Sequence, residues 1–224
     1  MSRPAWLEAL AAARDSAQPG NRLRERLLAR AALRGADDRS GARHPMAARG
    51  PFELPPGARV ERDIAYGHDP AQALDVYLPA DAAGAAILLV VHGGAWRRGD
   101  KGLLRSVRNK VMHWVARGCV LVSVNYRMLP RARPLEQAED VARALAFVQR
   151  QARGWGADGT KVVLLGHSAG AHLVSLLAAD PQLGARGGAE PWWATISIDS
   201  AAFDLVRIMS RPHFAFYDEA FGAD

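Results

Sequence analysis

Apolar positions alternate between two rhythms from about residue 60 to residue 198 of this chain. Short unbroken runs rich in β-branched residues, at 86–91, 119–122 and 161–165, predict strands buried on both faces of a sheet. Between them, 103–117 and 134–153 carry apolar residues at helical spacing. In the second of these, Leu135, Ala138, Val141, Ala142, Leu145 and Val148 fall on one face, expected to turn toward the sheet. Pro134 suits a first helical turn, and Gly118 suits the residue just past a helix end. The segments 60–66 and 74–77 alternate instead, which predicts an antiparallel hairpin, and 194–198 reads as one further strand. Strand and helix taking turns through Ala179 predict an α/β fold: a doubly wound, mostly parallel sheet with helices on both faces.

Ahead of this region, residues 3–34 predict two weakly amphipathic, alanine-rich helical pieces broken at Pro19-Gly20, and 35–58 is a loose connection rich in glycine and proline. The expected organisation is therefore an extension and linker over 1–57 and an α/β core over 58–224. At 224 residues and 49% hydrophobic content the chain can build one sizeable core.

The net charge of +6 invites a nucleic-acid reading, which its placement opposes. Ten arginines against five acids sit in residues 1–50, and Lys101, Lys110 and Lys161 are the only lysines of the whole chain. An arginine bias spread along the chain, without interleaved aromatics, reflects coding-sequence composition rather than a phosphate-binding stripe. Cys119 stands alone, so no internal disulfide is available and a reducing compartment suits the chain. The apolar stretch 6–13 is interrupted by Glu8 and closed by Arg14-Asp15, unlike a signal peptide, and no run approaches a membrane span. A cytoplasmic protein with neither membrane nor nucleic-acid partner is expected.

Candidate chemistry lies at two strand ends. Gly166-His167-Ser168-Ala169-Gly170 follows the run 161–165 and precedes the helix-like 171–179, which is the context of a nucleophile elbow. A serine hydroxyl becomes a useful nucleophile when a sharp strand-to-helix turn presents it to a base and to backbone N–H donors. Small residues are needed around it because neighbouring backbone passes close. His92-Gly93-Gly94-Ala95-Trp96 closes the run 86–91, and paired glycines there let backbone amides turn inward as an oxyanion hole.

With Leu74-Asp75-Val76-Tyr77-Leu78-Pro79 and Val122-Ser123-Val124-Asn125-Tyr126-Arg127, these motifs resemble the α/β-hydrolase superfamily. Within it the chain is similar to the small carboxylesterases with a His-Gly-Gly-X-Trp oxyanion motif, the feruloyl-esterase-like and arylformamidase-like groups, from about residue 60 to 203. The resemblance implies Ser168 as nucleophile and the backbone N–H groups of Gly93, Gly94 and Ala169 as oxyanion donors. It implies His92 as a brace of the glycine loop, and it leaves His167 without the role of base. Trp96 either lines the substrate pocket or packs. The implied reaction is two-step acyl transfer on a small-molecule ester without a cofactor. Two alternatives stay open: an arylformamidase cleaving an N-formyl amide, and a hydrolase-fold binding domain without catalysis.

One departure matters. The family's acid and histidine follow the serine on loops after the seventh and eighth strands, yet fifty-six residues follow Ser168 and they hold a single strand-like run. The expectation is a core lacking the last strands, with impaired activity and an exposed sheet edge near Ile196 that favours self-association. Asp199, Asp204 and Asp218 are weak substitutes for the acid and His213 for the base, since the resemblance makes the segment around His213 a helix or cap element. The histidines at 44, 68, 92, 113, 167, 172 and 213 show no metal-ligand spacing with a third convergent group, and no phosphate-cradling or dinucleotide glycine pattern occurs.

Overall fold

In a computed structural model that describes residues 52–200 and 202–222, the apolar runs become adjacent strands of one sheet. Its strands are β1 (Arg59–Ala65), β2 (Ala73–Leu78), β3 (Ala85–Val91), β4 (Val120–Val124), β5 (Ala157–His167) and β6 (Ala194–Ile198), in the order β1-β2-β4-β3-β5-β6. The β1–β2 and β2–β4 pairings are antiparallel, and β4, β3, β5 and β6 run parallel. β3 is central: Leu89 is in register with Val122 on one side and Leu164 on the other. The helices expected over 3–34 and most of the connection over 35–58 lie outside the described residues.

Alternation along the strands sorts side chains to two faces. Leu74, Val76, Ile87, Leu89, Val122 and Leu164 pack with Ala138, Val141, Leu145, Leu173 and Leu177, which belong to α2 (Pro134–Gln151) and α3 (Ala169–Ala179). Tyr77, Leu88, Val90, Leu121 and Leu165 pack on the opposite face with Val107 and Val111 of α1 (Leu104–Trp114). Parallel strands covered on both faces are the doubly wound arrangement that the alternation of the sequence predicts.

Differences from expectation have local causes. Leu135, expected to face the sheet, is 57% exposed. It lies in the first turn of α2, where Pro134 and Gln137 occupy the buried positions instead. β5 begins at Ala157, four residues before the apolar run, because Ala157 pairs with Ala85 across an irregularity in register. Helices α1 and α2 each tighten at the end into a 3-10 turn, Val115–Arg117 and Ala152–Trp155, closed by Gly118 and Gly156 at positive φ. Three short helices complete the described residues: α4 (Pro181–Arg186), α5 (Leu205–Met209) and α6 (Ala215–Phe221). α4 leaves no mark in the apolar periodicity, although Asp180 is its N-cap, accepting from Gln182 N, and Pro181 fills its first turn.

Candidate active site

Ser168 stands between the end of β5 and the first residue of α3, with φ 53° and ψ −116°. A non-glycine residue pays a steric cost in that region, and such strain persists only where the surroundings over-determine it. They do so on both sides of the turn: Ser168 N donates to Ile198 O of β6 at 2.9 Å, and His172 N donates to Ser168 O at 3.1 Å. The turn also packs onto the end of β3. A Cβ on Gly170 would lie 2.3 Å from Val91 O and 2.5 Å from His92 O, so only glycine lets α3 come this close.

The loop after β3 meets the serine from the other side. A Cβ on Gly93 would lie 3.0 Å from the Ser168 Cβ and 2.7 Å from His167 O, which sets the Gly93 backbone directly against Ser168. Gly94, Ala95 and Trp96 follow with φ of 139°, 53° and 58°, and Gly94 O closes the turn by accepting from Arg97 N and Arg98 N at 3.3 and 3.1 Å. Ala169 is buried at the start of α3, next to the serine. Thus Ser168, Gly93, Gly94 and Ala169 all sit where the neighbouring strands β3 and β5 end, on adjacent loops of the sheet's carboxyl edge.

Each aromatic and imidazole group nearby has a definite place. His92 is buried, its ring stacks on Tyr126 at 4.6 Å, and its Nδ1 donates to Gly93 O at 3.0 Å. Burial pushes its pKa down, which keeps it neutral, while its Nε2 has no hydrogen-bond partner. Tyr126 donates through its hydroxyl to His92 O at 2.9 Å, and Gln137 donates to Trp96 O at 2.9 Å. Neither was singled out from the sequence. Tyr126 lay inside a quoted motif, but nothing marked Gln137 beyond its being a polar residue inside an apolar helix face. Of the two readings of Trp96, its 3% exposure and its contacts with His172, Phe216, Tyr217 and Phe221 fit packing.

The residues considered as substitute acid and base scatter. His213 uses both ring nitrogens elsewhere: Nδ1 donates to Arg211 O at 2.6 Å and Nε2 to Asp218 Oδ1 at 2.8 Å. That pair raises its pKa, and it leaves no nitrogen to receive a proton from Ser168. Asp204 caps α5, accepting from Arg207 N at 3.0 Å. Asp199 follows the residue that binds Ser168 N and stands 4.0 Å from His167 Nε2, with both side chains largely exposed. Among the described residues, no imidazole hydrogen-bonds the Ser168 hydroxyl, and no group of three or more His, Cys, Asp or Glu is arranged to hold a metal ion. No helix among them is long and apolar enough to cross a membrane.

Residues 74–185, half of the chain, match the model of the BD-FAE family, and the match spans the oxyanion-type loop and the serine turn alike. The chain belongs to the BD-FAE family. It is 31% identical over 138 residues to the probable isoprenylcysteine alpha-carbonyl methylesterase ICMEL1 of Oryza sativa subsp. japonica, a stretch covering 60% of this chain and 32% of that protein. It is 35% identical over 127 residues to esterase LipC of Mycobacterium tuberculosis, covering 54% and 31%. Among solved structures it is similar to esterase B from Lactobacillus rhamnosis, with TM-score 0.60 and 25% identity over 89% of this chain and 67% of that one. As in those esterases, the fold of this BD-FAE chain is of the α/β-hydrolase kind. The matched stretch is about a third of the length of the two sequence relatives.

Proposed function

We propose that this chain carries the acyl-transfer site of a serine hydrolase acting on carboxylic esters. The supporting observation is the contact between two loops: a strained Ser168 on one, with the Gly93 backbone of the other directly against its Cβ. In this reading the Ser168 oxygen attacks the ester carbonyl carbon and its proton passes to a base. The carbonyl oxygen takes up negative charge opposite the N–H groups of Gly93, Gly94 and Ala169. The C–O bond to the alcohol then breaks with protonation of the leaving oxygen. Water repeats the attack on the acyl-serine, releasing the acid and restoring the hydroxyl. Relatives named as a methylesterase and as an esterase support a carboxylic ester as the substrate class.

The test is a fluorophosphonate probe, which bonds covalently to an activated serine. Mapping the adduct to Ser168, with Ser168→Ala lowering both labelling and p-nitrophenyl acetate hydrolysis by about a thousandfold or more, is the expected result. Labelling at another residue, or unchanged hydrolysis in the variant, overturns it. One observation favours a second reading, a binding domain without turnover: among the described residues no imidazole is bonded to the Ser168 hydroxyl. That reading requires labelling no faster than that of an ordinary serine.

A further inference from the structure

Lys101 is a charged residue in an unexpected place. It follows the glycine loop at the threshold of α1, yet its side chain is only 3% exposed. Its ammonium donates to Asp75 Oδ1 on β2 at 2.5 Å and to Asp63 Oδ1 on β1 at 2.6 Å. Asp75, with a side chain 2% exposed, also accepts from Asp63 N at 3.0 Å and from Arg62 at 3.2 Å. The Lys101 backbone is held as tightly: its N donates to Asn125 Oδ1 at 2.6 Å and its O accepts from Ser123 Oγ at 2.8 Å. Asn125 in turn donates to Asp100 Oδ2 at 3.1 Å.

This anchorage leads to the serine through backbone contacts. Two residues before Lys101, Gly99 has φ 129°, and a Cβ there would lie 2.3 Å from His92 Nδ1 and 2.6 Å from Gly93 O. Gly99 therefore lies against both His92 and Gly93, and Gly93 lies against Ser168. Gly99 is thus a close-packed backbone link between Lys101 and the oxyanion-type loop. A buried ion pair is by itself a weak source of stability, because desolvation offsets the attraction between the charges, whereas its hydrogen-bond directions fix position closely.

We infer that Asp75 and Lys101 are positioning residues for the acyl-transfer site, holding the amides of Gly93 and Gly94 at the place where the oxyanion forms. The inference rests on the function proposed above and adds which residues set the geometry of the site. Neither residue touches substrate.

The experiment measures fluorophosphonate labelling of Ser168 over a range of probe concentrations, separating the binding constant KI from the rate kinact. The phosphonyl oxygen of the probe takes the oxyanion position. Asp75→Asn and the double variant Asp75→Leu/Lys101→Met are compared with the unaltered 224-residue chain, and thermal melting reports folding. The double variant removes both buried charges together, and the side chains of Asp63 and Arg62 already reach solvent, so it keeps the fold where a single change fails. The expected result in both variants is a fall in kinact of about 10- to 100-fold, with KI unchanged within about twofold. A double variant that melts like the parent and labels at the parental kinact overturns the inference alone. An unaltered chain that does not label at Ser168 overturns the acyl-transfer reading, and this inference with it.

Discussion

A methyl group on Gly93 is the smallest change that separates the two loops of the site. It would meet His167 O at 2.7 Å and the Ser168 Cβ at 3.0 Å, neither of which can rotate away as the end of a flexible side chain could. Gly93→Ala is expected to lower Ser168 labelling by about 100-fold, as for loss of an oxyanion donor, and to lower the melting temperature because the two loops are forced apart. Labelling at the parental rate would show that the loop tolerates retreat from the serine. His172 gives a second residue-scale expectation. It is buried against Trp96 and Phe221, and burial lowers its pKa from about 6.5 to about 4. The unfolded chain therefore binds a proton between those values that the folded chain refuses. The stability His172 contributes is complete above pH 6.5 and is lost as pH falls toward 4, by up to ~3 kcal/mol. Urea titrations across that range should show a shallower decline for His172→Leu than for the parent. An equal decline would assign the acid sensitivity to other groups. Ser168 and Gly93 were legible in the sequence because a strained turn and a close backbone approach restrict residue type at fixed spacing. Lys101, Asp75 and Gln137 were not, since one polar letter in an apolar pattern does not say which way it points.

Two-sided burial marked which segments are strands but not their bounds, since β5 begins four residues before its apolar run while the edge strand β6 keeps the expected 194–198. The runs at β3, β4 and β5 are continuous because both faces of these strands are covered, and β2 is covered on both faces as well, with Asp75 interrupting its run. Helix α2 was legible for a related reason, but its polar members conceal its most demanding feature. Asp140 is fully buried and accepts from Gln72, from Arg143 and from the backbone and guanidinium of Arg127. That carboxylate joins the helix to the turns after β1 and β4, and hydrophobic periodicity carries no trace of it. The short helices α4, α5 and α6 escape periodicity altogether, having too few turns to display a face. β6 shows the opposite case, a strand recognised for its β-branched residues that lies at the edge of the described sheet with Ile196 and Ile198 each 41% exposed. An uncharged edge with apolar side chains favours pairing with another copy. Sedimentation is expected to show concentration-dependent association that Ile196→Lys reduces. A parent that stays monomeric at every concentration would remove the edge as an interface.

At the scale of the molecule, the mostly parallel sheet and its two helical layers follow from the order of apolar runs and are legible in it. The strand order within the sheet was not legible in the sequence, because pairing partners leave no mark on an individual strand. That order brings β3 and β5 side by side although β4 and α2 intervene along the chain. The ends of those two strands furnish Gly93 and Ser168, which are seventy-five residues apart in sequence and in contact in space. Joining them closes a long loop, and such closures come late relative to helix formation. Serine reactivity is accordingly a clock for the last stage of refolding: far-ultraviolet ellipticity should recover first, and covalent capture by a phosphonate only after the distant halves of the chain have found each other.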